Sequence, residues 1–110
     1  MSAEPFWVNS AGPTSDEAFA TAVRDAQYTF GCGGDTGTIA EKSAYVMLRP
    51  PAGVTPFTWV QEIVAGPDFA ARVHPRMYQA AKARYENKEG PALCVQTEAG
   101  QWAFFGLAPA

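Results

Sequence analysis

A chain of 110 residues, 47% apolar and 13% aromatic, has the size of one domain and ample side chain for a packed interior, which excludes a disordered chain or a second core. No apolar run approaches the roughly 18 residues of a membrane span, and a net charge of −3 gives no general pull toward polyanions. Two cysteines and one histidine are too few for a disulfide framework, or for a four-ligand zinc site without carboxylates.

The start, MSAEPFWVNS, has neither the basic region nor the apolar region of a secretory signal, so the cytoplasm is the expected compartment. Residues 5–9 read as a short strand or an arm packed by Phe6 and Trp7. Thr14 then stands where an N-cap belongs. Glu17, three residues on, completes a capping box, and Asp16 favours the same helix end. Phe19, Ala22, Val23, Ala26 and Phe30 follow at helical spacing as the expected buried stripe. Gly31 occupies the left-handed cap position, which predicts a stop at about Phe30.

Residues 44–49 read as a strand ended by Pro50-Pro51. A helix is predicted over 56–65, with Thr55 as N-cap and Pro56 in its first turn. Its expected outer face is Thr58, Gln61, Glu62 and Ala65. Pro75 predicts a break that leaves a short helical piece at 69–73 and a longer one from 75 to about 88, with Met77, Ala80, Ala81 and Tyr85 inward. Strands at 92–97 and 101–107, joined through Glu98-Ala99-Gly100, complete a C-terminal hairpin. The expected fold is therefore α+β: one domain over 1–110, with an antiparallel sheet of about three or four strands packed by about three helices.

The least ordinary segment is Gly31-Cys32-Gly33-Gly34-Asp35-Thr36-Gly37-Thr38-Ile39-Ala40-Glu41-Lys42, with four glycines in seven residues. Such density points to positive φ or to backbone that must approach something closely. Exposed amides invite an anion, but the known phosphate fingerprints fail. The only Lys-Ser pair, Lys42-Ser43, follows Glu41 rather than glycine, and the loop runs from helix to strand rather than the reverse. What remains for a small anionic ligand, a nucleotide phosphate for example, is a non-standard nest. Its binding set is Gly33, Gly34, Asp35, Thr36, Thr38 and Lys42. Glu41 is expected to anchor the loop to backbone amides or to arginine.

Cys32, between glycines, and His74 are the candidates for nucleophilic catalysis, with Asp35 or Glu41 to orient the imidazole. His74 also reads simply as the residue at the helix break, and Cys94 as core. Residues 72–88 carry five bases against one acid, with Tyr78 and Tyr85 interspersed. Those are ingredients of nucleic-acid binding, which the sequence pI of about 5.0 disfavours.

The string Gly37-Thr38-Ile39-Ala40-Glu41-Lys42, after a Gly-rich turn and before a strand, resembles a group of small proteins of bacteriophages and actinobacterial mobile elements. In that group tyrosines often stand between the glycines, where this chain has Cys32 and Asp35. The resemblance implies a phage accessory protein acting on a host factor. The reading as a whole is a non-enzymatic binding module that engages a host or self protein through residues 31–42, a homo-oligomer being one form of this. The alternative is a small-ligand or nucleotide-phosphate binder, as a binding protein or as an enzyme, using the same loop. No cofactor, metal, membrane or nucleic-acid partner is expected.

Overall fold

The two ends of the chain pair with each other. In the computed structural model, which describes residues 2–110, strand β1 (Ala3–Ala11) runs antiparallel to β4 (Gln101–Pro109) over its full length. Strand β3 (Ala92–Glu98) lies on the other side of β4, also antiparallel, and the short β2 (Tyr45–Met47) closes the sheet in the order β1-β4-β3-β2. The domain is α+β as expected. The one departure from a wholly antiparallel sheet is β2, which runs parallel to β3. Parallel neighbours need a long crossover, and here helices α2 (Pro56–Ala65), α3 (Phe69–Val73) and α4 (Pro75–Tyr85) provide it.

Both faces of the sheet are covered. On one, Leu93, Val95 and Phe105 pack against Trp59, Val60 and Ile63 of α2 and Tyr78, Ala81 and Tyr85 of α4. On the other, Cys94 and Phe104 meet helix α1 (Ser15–Phe30), whose Ala18, Ala22 and Ala26 are buried, together with Ile39. Strand period two thus explains why 92–95 and 103–106 are buried without a gap: alternate residues serve different layers.

Helix ends follow their sequence signals. The Glu17 amide donates to Thr14 Oγ1, the Thr58 amide to Thr55 Oγ1, and Gly31 ends α1 with φ +90°. Helix faces were less legible. In α1 the buried stripe is Ala18, Ala22 and Ala26, because small side chains let the helix lie close to β1. Phe19 and Val23 flank it, and Phe30 is 61% exposed. In α4 Tyr78 replaces Met77 and Ala80 on the inner face, and its hydroxyl donates to the Glu62 carbonyl at 3.1 Å. In α2 Phe57 is exposed, while Glu62, expected to face solvent, is 5% exposed. Among the described residues no helix is long and apolar enough to cross a membrane.

Candidate functional site

The loop between α1 and β2 divides at Asp35. From Gly31 to Asp35 every residue is exposed, and the chain makes two successive positive-φ steps, Gly34 at +87° and Asp35 at +55°. Aspartate is among the few side chains that enter this region readily, so the turn needs no third glycine. From Thr36 onward the segment is held. A 3-10 turn at Ile39–Glu41 drives Ile39 fully into the layer under α1.

Glu41 is turned into its own loop, toward Thr36 and not toward an arginine. Its Oε2 accepts from the Thr36 hydroxyl at 2.7 Å and from the Thr36 amide at 3.1 Å. Thr36 Oγ1, having given its proton to Glu41, accepts from Thr38 Oγ1 at 2.8 Å, and Thr38 Oγ1 accepts in turn from the Ala40 amide. Every bond in this chain points toward the carboxylate, and aligned bonds polarise one another. The Thr36 hydroxyl draws the Glu41 pKa below its usual value, burial opposes, and the Thr36 and Asp35 amides add to the lowering.

Gly37 fixes where the loop crosses the sheet. Its amide donates to the Pro109 carbonyl at 2.7 Å, beyond the end of β3. Its φ is +71°, and a Cβ there would lie 2.9 Å from both Cβ and Cγ of Glu4. Only glycine fits without movement.

Lys42 is buried, at 6% exposure, and its Nζ donates to the carbonyls of Lys88 and Gly90, each at 2.8 Å. It ties the loop to the turn after α4. Burial lowers its pKa and Glu89 partly restores it. A cleft of about 300 Å³ opens here, lined by Glu41, Lys42, Ser43, Lys88 and Glu89 among others.

These contacts re-sort the nominated anion nest. Thr36 and Thr38 spend their hydroxyl protons inside the loop, the Thr36 amide points at Glu41, and Lys42 is turned to two carbonyls. The protein's own carboxylate stands where an anion would sit. Gly33, Gly34 and Asp35 remain at the surface.

The catalytic candidates are kept apart by the layers. Cys32 is exposed in the loop after α1, on one face of the sheet. His74 joins α3 to α4 on the other, where its Nε2 lies 3.2 Å from the Ala52 carbonyl oxygen. Cys94 is core, its thiol pushed up to about 12 by burial. Among the described residues no cluster of three metal-ligating side chains forms. The rings that suggested base stacking, Tyr78 and Tyr85, are buried, and Lys82 of the same segment donates to the Ile63 carbonyl at 2.7 Å.

Sequence reasoning missed the strongest polar constellation in the chain. Glu62 accepts from the amides of Asp68, Ala70 and Ala71 at 2.8, 3.0 and 2.9 Å. Asp68, the N-cap residue of α3, makes no side-chain cap, so Glu62 caps that helix from a different one. Burial raises its pKa, and the amides of Ala71, Asp68 and Ala70 more than offset this, leaving the net shift downward. The available signal was Gly66-Pro67, which forces a sharp corner one turn after Glu62.

The chain matches no known protein family, curated protein or solved structure.

Proposed function

We propose that this protein is a non-enzymatic binding module that presents the tip of the 31–42 loop to a protein partner. One observation carries the reading: residues 31–35 are fully displayed while residues 36–42 are held at both ends and internally. A loop already fixed loses little conformational entropy on binding, and that loss is among the main costs of association. Two aromatic side chains stand beside it at the end of α1, Tyr28 at 94% and Phe30 at 61% exposure. Exposed aromatic rings beside a turn whose base is held are of the residue type enriched at interface centres. In the phage-like setting that the GTIAEK string implies, the partner is a host factor in the cytoplasm, where Cys32 stays a thiol.

The test compares recovery of partners on immobilised wild-type protein, on Asp35→Asn, which keeps a side chain suited to the positive φ and removes the charge, and on Phe30→Ser. Both substitutions are at exposed positions and leave the fold intact by circular dichroism. The reading expects a partner recovered by wild type and lost with both variants; equal recovery on all three would overturn it. A thermal-shift series with inorganic phosphate and nucleotides serves the alternative. Stabilisation that grows with ligand concentration and vanishes in Lys42→Met would favour the phosphate binder instead.

A further inference from the structure

Strand β1 is an edge of the sheet, and its ladder parity is fixed at both ends. The Gly12 amide donates to the Gly100 carbonyl at 3.0 Å and the Ala110 amide to the Ser2 carbonyl at 3.2 Å, in the register that pairs Phe6 with Gly106. The even-numbered residues of β1 therefore bond to β4, and the main-chain groups of Ala3, Pro5, Trp7, Asn9 and Ala11 point outward. Among the described residues none of these outward groups has a hydrogen-bond partner. Pro5 falls where its missing N–H lies on the open side, the place a strand tolerates proline. Glu4 and Pro5 are guards of the kind an open edge carries, but from Phe6 to Ala11 the strand has no charged residue, no proline and no bulge.

We propose that this edge pairs antiparallel with the same edge of a second copy of the chain, joining two four-stranded sheets into one continuous sheet. The two-fold axis passes at Trp7, which sets Trp7 against Trp7, Pro5 against Asn9 and Ala3 against Ala11. In that register every ladder bond forms except those the prolines cannot donate. Glu4, the strand's one charged side chain, faces Ser10 of the partner subunit, so like charges are not opposed. Trp7 is 36% exposed and packs at 5.7 Å on Phe57, itself exposed. The axis brings two such aromatic pairs together at the centre of an isologous contact. On the opposite face a groove lined by Val8, Ala22, Asp25 and Ala26 follows the edge, and Phe6 of the partner subunit stands beside Val8. Asp25 and the net charge of −3 on each copy repel, so association tightens with salt.

Asn9→Pro tests the proposal. It removes an outward N–H and leaves the β1–β4 ladder whole, so the circular dichroism spectrum is retained. Sedimentation equilibrium is expected to give twice the chain mass for wild type in the hundred-micromolar range and one chain mass for Asn9→Pro. Trp7→Lys gives the same loss without a backbone change. Pro5→Ala restores the missing donors and tightens the dimer about tenfold or more. Hydrogen exchange supplies the register: the amides of Ala3, Trp7, Asn9 and Ala11 gain protection with concentration, whereas Phe6, Val8 and Ser10 are protected throughout. A monomeric wild type overturns the proposal, as does a dimer that survives both Asn9→Pro and Trp7→Lys.

Discussion

Two carboxylates close turns in this chain, and they work at different depths. Glu62 is buried between α2 and α3 and takes three backbone amides. Glu41 sits half-buried in the loop and takes one amide and one hydroxyl. Both pKa values are lowered by donors that favour the charged form, against a burial cost that is the largest single influence at Glu62 and second to the Thr36 hydroxyl at Glu41. A shared hydrogen-bonding device therefore has unequal consequences. Losing Glu62 strands buried donors, whereas losing Glu41 frees groups that water can reach.

The largest expected effect is that of Glu62→Ala. The Ala70 and Ala71 amides lose their acceptor in a buried site, which costs on the order of 3 kcal/mol. For a domain of this size that lowers the melting temperature by roughly 10–20 °C. Glu62→Gln keeps one acceptor oxygen and is expected to lose about half as much. The pH dependence sharpens the assignment. A carboxylate with a lowered folded pKa contributes stability that is present above its unfolded value, here 4.5, and is lost as pH falls through the folded value. Wild type should thus lose stability steeply below about 4.5. In Glu62→Gln that acid limb is shallower in urea unfolding; an unchanged slope would remove Glu62 as its source.

Next in size is Gly37→Ala, which brings the loop into the comparison by its backbone. The added methyl must adopt φ +71° and displace Glu4, at a cost of about 2 kcal/mol. The hydrogen bond from the amide at position 37 to the Pro109 carbonyl is expected to lengthen, visible as faster exchange of that amide. Stability equal to wild type would mean that the loop's crossing over the sheet end is not fixed.

These magnitudes track what the sequence made legible. Caps at Thr14, Thr55 and Gly31 were readable because their signals are local, a side chain answering a backbone group within three or four residues. Glu41 was readable for the same reason, since its partners lie within five residues. Glu62 was not. Its partners belong to another helix, and helical periodicity alone set it among Thr58, Gln61 and Ala65 on the outer face. Lys42 failed likewise: its carbonyls come from residues 88 and 90, and a lysine in a glycine-rich loop reads equally as an anion donor. The parallel pairing of β2 depended on how three helices return the chain, which no window of residues contains.

The smallest effect is the most discriminating. Glu41→Ala removes the acceptor of two bonds in a loop that water reaches, so the global cost is about 1 kcal/mol. The change should instead be local. Without the carboxylate, the Thr36 hydroxyl loses the acceptor that fixes its direction, and the Ala40-Thr38-Thr36 chain loses its common polarity. Exchange of the Thr36 and Ala40 amides is then expected to accelerate while the Ala70 and Ala71 amides keep wild-type protection. Because Gly37, Ile39 and Lys42 still tie the segment to β4, the core and the turn at 88–90, the loop stays in place but its tip is less well fixed. Partner recovery should therefore fall with Glu41→Ala even though the melting temperature barely moves. A variant that binds like wild type while its Thr36 amide exchanges freely would show that rigidity at the loop's base is not what the partner reads.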